Sequence, residues 1–165
     1  MRIQIVNTGE LINIVSKIAG EVWREHYSGI VPAPQIDYML KKFQSASAVA
    51  KQIGEENYKY YLMQDGEKNF CGYFAVVVRD DKLFLSKIYV KKESRQKGFA
   101  KKAVAFLAGE AKKLNLSAIE LTVSRENKQS IEAYKKMNFE TDGEINLDIG
   151  GGFFMNDYKM SLKVK

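Results

Sequence analysis

The segment from Ile88 to Ala100 combines the residue types that bind phosphate groups. Its sequence, IYVKKESRQKGFA, predicts a strand, a basic loop and the first turn of a helix. That turn carries backbone N–H groups without intrahelical partners at the positive end of the helix dipole. Gly98 and Ala100 let the backbone approach a phosphate closely. Arg95 and Lys97 add positive charge, so the segment predicts a site for a phosphate-containing ligand.

Charge is distributed unevenly along the chain. The net charge of +6 comes from 26 Lys and Arg against 20 Asp and Glu, and residues 87–102 carry all of the excess. Their basic side chains, opposed only by Glu93, are Lys87, Lys91, Lys92, Arg95, Lys97, Lys101 and Lys102. Residues 138–158 hold no Lys or Arg, and their acidic side chains are Glu140, Asp142, Glu144, Asp148 and Asp157. A charged run is most often a solvated face, and here an anion-attracting segment precedes an acidic one.

Other nucleotide and metal motifs are missing from the sequence. Neither the Walker string G-x-x-x-x-G-K-[ST] nor the dinucleotide fingerprint G-x-G-x-x-G occurs, and the run Gly150–Gly152 does not supply one. One His and one Cys cannot provide the three or four ligands of a typical zinc site. A carboxylate metal site stays open but has no motif in the sequence, so we expect no metal. Cys71 is the single cysteine and cannot form an intrachain disulfide.

The elements that must position the basic loop begin with a strand and three helices. Residues 3–5 alternate as a short strand, and apolar residues at helical spacing over 11–23 predict a first helix that ends near Gly29. Pro34 suits the first turn of a second helix. Ser47 is the expected cap of a third.

The rest of the chain predicts a mixed α/β sheet. The expected elements are strands at 58–63, 70–79 and 83–90, a helix from about Gly98, a strand at 119–123, a helix from about Asn127, and two strands flanking Gly150–Gly152. Turn residues between the first three of these strands indicate antiparallel hairpins. A helix crossing between the strands at 83–90 and 119–123 predicts that those two are parallel.

Length and composition predict one globular domain over residues 1–165. The chain is 45% hydrophobic and 28% charged, which is too apolar for intrinsic disorder, and its 165 residues suit a single domain. The N-terminus lacks a signal-peptide pattern. The longest apolar stretch, around residues 73–78, is far below the roughly 20 residues of a membrane helix. We therefore expect a cytoplasmic protein without a membrane partner.

Two motifs resemble the GNAT N-acetyltransferase superfamily. Arg95-x-x-Gly98-x-Ala100, after an apolar strand, looks like the acetyl-CoA signature R/Q-x-x-G-x-G/A of that family. The stretch from Val123 to Phe139 resembles its V-x-x-x-N-x-x-A-x-x-x-Y-x-x-x-G-F motif, with Asn138 where the family has Gly. The order of predicted elements also agrees with the family from residue 2 to about 164.

The resemblance implies a fold, a cosubstrate and residue roles. The fold is three-layered, with a mostly antiparallel sheet of about seven strands whose parallel fourth and fifth strands splay apart at the cofactor site. Acetyl-CoA would place its pyrophosphate on backbone N–H groups and its pantetheine arm along the edge of the strand before the loop. The implied cofactor-binding residues are Ile88, Tyr89, Val90, Arg95, Gln96, Lys97, Gly98, Phe99, Ala100, Lys101, Asn127 and Ser130. Tyr134 would be the acid that protonates the leaving thiolate.

In this family an amine receives the acetyl group, and some group must first take a proton from that amine. The sequence leaves the identity of this proton acceptor open. Deprotonating an alkyl amine at neutral pH costs about 4 to 5 kcal/mol, because its pKa is near 10.4. Many family members place a Glu on the strand before the loop, but the matching position here is Ser86. A water chain, Glu25, His26, Asp37 or Asp157 could take its place.

The function implied is transfer of the acetyl group of acetyl-CoA to a primary amine by direct attack in a ternary complex. The acidic run over residues 138–158 suits a cationic acceptor such as a polyamine, with a peptide amine as the main alternative. Two other classes stay open: a basic nucleic-acid-binding module and a CoA-binding sensor without catalysis. Aromatic residues are not interleaved with the lysines, which does not favour nucleic acid. Pairing of subunits is common in the family, so a homodimer is a possible assembly.

Overall fold

Residues 1–164, which a computed structural model describes, form seven strands and five helices. The strands are β1 (Arg2–Ile5), β2 (Lys59–Gln64), β3 (Phe70–Arg79), β4 (Lys82–Val90), β5 (Ala118–Ser124), β6 (Glu140–Gly150) and β7 (Phe153–Lys163). The helices are α1 (Gly9–Tyr27), α2 (Ala33–Met39), α3 (Ala46–Glu55), α4 (Phe99–Lys113) and α5 (Lys128–Lys136). None of the helices in this part of the chain is long and apolar enough to cross a membrane.

The strands make one mixed sheet in the order β1-β2-β3-β4-β5-β7-β6. β4 and β5 are parallel, whereas β1 with β2, β2 with β3, β5 with β7 and β6 with β7 are antiparallel. The predicted mixed sheet of about seven strands with a parallel fourth and fifth pair is therefore confirmed.

The chain divides into two compact units. The first comprises Met1–Val77 and Lys87–Ala103, and the second comprises Val78–Ser86 and Val104–Lys165. Strand β4 and helix α4 therefore each contribute residues to both units. The single domain expected over residues 1–165 stays a prediction.

Helices α1 to α3 of the first unit follow their sequence signals closely. The Thr8 hydroxyl caps α1 by accepting a hydrogen bond from the Leu11 N–H at 3.3 Å, and Pro34 lies in the first turn of α2. A π-helical turn then runs from Leu40 to Gln44. The cap of α3 is Ser45, whose hydroxyl accepts from the Ala48 N–H at 3.2 Å, so the prediction of Ser47 was wrong. Ser47 lies inside the first turn, because the π-helical turn ends one residue before Ser45.

Aromatic side chains fill both faces of the sheet in the first unit. On one face the rings of Tyr60 and Tyr73 stack with centroids 6.4 Å apart. On the other, Tyr61 and Phe74 stack at 4.9 Å. All four side chains are buried. Tyr61 and Phe74 are paired across β2 and β3, whereas Tyr60 and Tyr73 are diagonal neighbours, since Tyr60 pairs with Ala75. Burial of these large rings is a major stabilising contribution to this unit.

Gly72 on β3 lies against the backbone of the end of β4. A Cβ added there would be 2.2 Å from the Tyr89 carbonyl oxygen and 3.0 Å from the Val90 Cα. The adjacent Cys71 carbonyl accepts a hydrogen bond from the Lys91 N–H at 2.8 Å. Only glycine allows this approach, so Gly72 sets the path of the chain as it leaves β4.

The second unit is built on β5 and a long hairpin. Lys82 to Phe84 of β4 pair in parallel with Ala118 to Glu120, and all of β5 pairs with β7. The Glu120 carboxylate, on β5, binds the ammonium groups of Lys82 and Lys159 at 3.1 and 3.0 Å. Strand β6 is an exposed edge strand, and it joins β7 through the predicted turn at Gly150–Gly152.

Replacing Gly72 with Ala should lower the free energy of unfolding by about 2 kcal/mol, because the new methyl group would overlap main-chain atoms. Gly54→Ala is the matched control, since Gly54 is in α3 and a Cβ there meets no atom within 4 Å. The control should change stability by no more than about 1 kcal/mol, and in the stabilising direction. Urea unfolding of both variants measures the difference. Equal stability of the two would show that β3 does not constrain β4 here.

Candidate functional site

The loop after β4 folds into a backbone conformation that binds anions. A single 3-10 turn covers Lys92–Ser94, and the chain then passes through Gln96 and Gly98, whose φ angles are 61° and 80°. Both φ angles are in the left-handed region, so the chain turns sharply between the end of β4 and the start of α4. Turns with left-handed residues can expose backbone N–H groups to an anion.

Helix α4 begins directly after this loop and adds its own donors. The first hydrogen bond of its ladder runs from the Lys102 N–H to the Gly98 carbonyl at 3.0 Å. The N–H groups of Phe99, Ala100 and Lys101 precede that bond, so the helix offers them no acceptor. The Phe99 side chain is buried and anchors the turn, whereas Lys101 is exposed.

Gly98 fits a close ligand contact. A Cβ added at Gly98 would meet no protein atom within 4 Å, so packing within the protein does not require glycine there. Its φ of +80° favours glycine, and the space beside it is open. The backbone at this residue is therefore open to a close contact, and phosphate binding at Gly98 stays a prediction.

Arg95 holds the loop to α1. Its Nη1 donates to Glu25 Oε1 at 3.2 Å, its Nη2 donates to Glu25 Oε2, and its Nε donates to the Val90 carbonyl at 3.1 Å. The guanidinium lowers the pKa of the Glu25 carboxyl, chiefly through these hydrogen bonds. The sequence shows the charge of Arg95 but not its partner Glu25, because no local pattern links residues 70 positions apart.

Three of the seven basic residues over 87–102 bind groups inside the first unit. Besides Arg95, Lys91 pairs with Glu21 at 3.4 Å. Lys87 is only 8% exposed, and its Nζ donates to Gln52 Oε1 at 2.9 Å. The exposed members are Lys92, Lys97, Lys101 and Lys102. The basic surface is therefore smaller than the sequence suggests, and it is concentrated at the start of α4.

Tyr89 fixes the end of β4 among aromatic rings of the first unit. Its ring lies 5.5 Å from the rings of Trp23 and Tyr73, and its hydroxyl is 3.3 Å from the Tyr27 hydroxyl. Among residues 1–164, the ladder with β5 pairs only Lys82 to Phe84 of β4. The backbone of Ile88–Val90 is therefore beyond that ladder.

Asn127 caps α5 in the second unit. Its side-chain Oδ1 accepts a hydrogen bond from the Ser130 N–H at 3.1 Å, and the residue is 5% exposed. Its own N–H donates to the Ser124 carbonyl at 2.9 Å, which ties the cap to the end of β5. The capping role that its residue type favours is therefore present.

Tyr134 lies in the last turns of α5 and is half-buried. Its ring packs against Phe139 with centroids 5.6 Å apart and an interplanar angle of 63°. The chain leaves the helix through Asn138 at φ 67°, the left-handed conformation that a glycine usually takes. Asn138 therefore performs the backbone role of the Gly in the motif that ends at Phe139.

A family model confirms what these motifs indicate. The model described as the acetyltransferase (GNAT) family matches residues 20–139, which is more than half of the chain. The chain belongs to the GNAT acetyltransferase family. This GNAT domain is thus an acyltransferase of a family that uses acetyl-CoA and acetylates amines.

Solved structures share the GNAT fold with this chain. The PaiA N-acetyltransferase of Thermoplasma acidophilum, solved with coenzyme A, has a TM-score of 0.74 at 21% identity, covering 99% of both chains. The ribosomal-protein-S18-alanine N-acetyltransferase of Escherichia coli has a TM-score of 0.72 at 18% identity, covering 99% of this chain and 93% of its own. The spermidine/spermine N-acetyltransferase SpeG of Vibrio cholerae has 0.66 at 18%, covering 98% and 91%. A search of curated proteins found no match.

The candidates for a proton acceptor differ in their surroundings. Asp37 is exposed and pairs with Arg24 at 3.1 Å, and Glu25 is bound by Arg95. Burial lowers the pKa of His26, and the Arg95 charge acts in the same direction. Asp157 is 2% exposed, and burial raises the pKa of its carboxyl. Of these side chains, only Asp157 is a deeply buried carboxylate.

Asn127→Ala should lower the free energy of unfolding by about 1 kcal/mol, because the Ser130 N–H loses its capping acceptor. Asn127→Ser keeps a hydrogen-bond acceptor at the cap and should lower the free energy of unfolding by only about a few tenths of a kcal/mol. Urea unfolding of both variants checks the difference. A loss of the same size in the serine variant would show that Asn127 stabilises the protein by some contact other than the cap.

Proposed function

We propose that this enzyme moves the acetyl group of acetyl-CoA to a primary amine by direct attack in a ternary complex. The observation that supports the proposal is the loop and helix start at Gln96–Lys101. There, left-handed residues lead into helical N–H groups that have no acceptor within the helix, an arrangement that suits an anion. Acetyl-CoA supplies a pyrophosphate that fits such a site and a thioester that an amine can attack.

The residues around this loop fit a nucleoside diphosphate with an extended arm. Backbone N–H groups from Gln96 to Lys101 would hold the pyrophosphate, and the exposed Lys97 and Lys101 would add charge. The backbone of Ile88–Val90 would pair with the amide groups of the pantetheine arm, as an added strand does. The full proposed set is Ile88, Tyr89, Val90, Arg95, Gln96, Lys97, Gly98, Phe99, Ala100, Lys101, Asn127 and Ser130.

Arg95 would support this site mainly by positioning it. Its guanidinium already binds Glu25 and the Val90 carbonyl, so its donors hold the loop against α1 and the end of β4. Ordering the loop before binding reduces the entropy that binding must overcome. Loss of Arg95 would therefore weaken acetyl-CoA binding without removing a phosphate contact.

Tyr134 is the proposed acid for the leaving thiolate. A tyrosine hydroxyl has an ordinary pKa near 10, so it holds a proton at neutral pH and can donate it to a developing thiolate. Its ring is held against Phe139, which fixes the direction of the hydroxyl relative to α5. No cysteine nucleophile takes part, and Cys71 is buried.

The proposed acceptor is a cationic small-molecule amine of the polyamine kind, with a peptide amine as the alternative. Strand β6 exposes acidic side chains that attract cations: Glu140, Asp142, Glu144 and Asp148. Two similar structures are named for acceptors of these two kinds, a polyamine and a protein amine. One is a spermidine/spermine N-acetyltransferase, and the other acts on the alanine of ribosomal protein S18.

A CoA-binding sensor without catalysis is the second candidate. It is favoured by one observation, the presence of Ser86 where many family members have a carboxylate. A sensor would bind acetyl-CoA but would release no thiol with any amine. Nucleic-acid binding is less supported, because Lys87, Lys91 and Arg95 are engaged within the first unit.

Acetyl-CoA should raise the melting temperature of the protein, because a ligand that binds only the folded state stabilises it. At a concentration 100 times Kd the stabilisation is about 2.7 kcal/mol, which is a shift of several degrees. A single-stranded oligonucleotide is the control and should give no shift. Thiol release is then measured with spermidine, an aminoglycoside, an amino acid and an alanine-first peptide. A shift with the oligonucleotide alone would overturn the proposal.

Tyr134→Phe should lower kcat by at least 10-fold while leaving the Kd for acetyl-CoA within about 2-fold, because only the proton donor is lost. Tyr158→Phe is a matched control, since it removes a half-buried tyrosine hydroxyl from β7 of the same unit. Steady-state kinetics and calorimetry measure the two effects. Unchanged turnover in Tyr134→Phe would remove this residue from the mechanism.

A further inference from the structure

We propose that Asp157 is the general base that takes the proton from the acceptor amine. The inference rests on the proposed function. Asp157 is on β7 and is 2% exposed, and among residues 1–164 its Oδ1 has no hydrogen-bond partner. A buried carboxylate oxygen without a donor is costly, so proteins rarely keep one for structure alone. A protonated amine needs an acceptor for its proton, and Asp157 Oδ1 is available as that acceptor.

The register places Asp157 at the end of β5. Asp157 pairs with Ser124, the last residue of that strand, and the next pair on the same face is Thr122 with Lys159. The Thr122 side chain hydrogen-bonds to the Asp157 carboxylate. In the part of the chain that the structure describes, Oδ1 of the same carboxylate has no hydrogen-bond partner. The end of the strand therefore carries a buried acceptor atom that can take a proton.

The cations around Asp157 are bound to other carboxylates. Arg125, which follows β5, donates to Glu144 Oε2 of β6 at 2.7 Å and to Asn146 Oδ1 at 3.3 Å. Lys159, two residues along β7, binds the Glu120 carboxylate at 3.0 Å. On β6 the residue paired with Asp157 is Ile145, which is uncharged. These neighbours leave Asp157 without a strong counter-charge.

These surroundings tune Asp157 for proton transfer. Burial raises the pKa of its carboxyl, and the Thr122 hydrogen bond and the Arg125 charge only partly oppose this effect. A base accepts protons more effectively as its pKa approaches the working pH. Glu25 lacks this property, because the Arg95 guanidinium lowers the pKa of its carboxyl. Asp37 is exposed and pairs with Arg24.

The proton and bond changes balance in this scheme. The Asp157 carboxylate takes one proton from the substrate ammonium, which leaves a neutral amine. The amine lone pair forms the C–N bond to the thioester carbon, the C–S bond breaks, and sulfur keeps that electron pair. The second nitrogen proton ends on sulfur through Tyr134. Asp157 then passes its proton to solvent, so one proton is released for each amine acetylated.

The test compares Asp157→Asn with Glu120→Gln in the full chain. Both remove a carboxylate from the same face of the sheet, but Asp157 is buried, whereas Glu120 is half-buried and bound by two lysines. Thiol release is followed against pH with spermidine and with an alanine-first peptide. Asp157→Asn should lower kcat/KM by about 100-fold near pH 7 and should recover toward wild type at high pH, where the free amine is abundant. Glu120→Gln should keep the wild-type pH profile.

Stability gives a readout that does not depend on turnover. Because the folded pKa of Asp157 lies above its ordinary value of 3.8, the folded protein holds this proton more tightly than the unfolded chain. Wild-type stability should therefore fall relative to Asp157→Asn as pH rises above about 4. Near pH 8 the Asn variant should melt at the same temperature as wild type or higher, whereas Glu120→Gln should melt lower.

Carboxyl ¹³C NMR of the wild-type protein completes the test. A titration midpoint for Asp157 clearly above the ordinary value of about 3.9 supports the inference, and a midpoint at that value overturns it. A parallel pH profile for Asp157→Asn and wild type also overturns it. If wild type binds acetyl-CoA but acetylates no amine, the proposed function fails, and the NMR midpoint still decides the state of Asp157.

Discussion

The start of α4 depends on one backbone constraint. Helical geometry leaves the N–H groups of Phe99, Ala100 and Lys101 without carbonyl partners inside the helix, and the left-handed Gln96 and Gly98 precede them directly in the chain. Such donors need an acceptor from outside the helix, and a phosphate provides several. The signature motif of the family is therefore a set of residue types that permit this backbone conformation.

The surrounding protein holds that backbone in place before any ligand binds. Arg95 joins the loop to Glu25 of α1 and to the last residue of β4, and Gly72 lets β3 lie against the same end of the strand. Each contact restricts the loop without using the N–H groups of the helix start. The basic residues thus have two roles, because Lys91 and Arg95 stabilise the fold while the exposed lysines supply an attractive field.

Local sequence patterns predicted most of the helices and strands. They did not predict contacts between residues far apart in the sequence. Strand β3 has the predicted bounds because turn residues flank a continuous β-rich run, and Asn138 has the left-handed conformation that its position in the motif requires. The cap of α3 was misplaced by two residues, because a π-helical turn before it has no sequence pattern. The Glu25 partner of Arg95 and the orphaned oxygen of Asp157 depend on tertiary packing, so neither could be predicted from spacing.

The central claim is that backbone N–H groups at the start of α4 bind the pyrophosphate of coenzyme A. Amide NMR of ¹⁵N-labelled protein tests it directly, with coenzyme A compared against pantetheine, which lacks the nucleotide and its phosphates. The account predicts large downfield shifts of the Gln96 to Lys101 amide protons with coenzyme A and small ones with pantetheine. Unmoved amides at saturating coenzyme A, or equal shifts with both compounds, would contradict it.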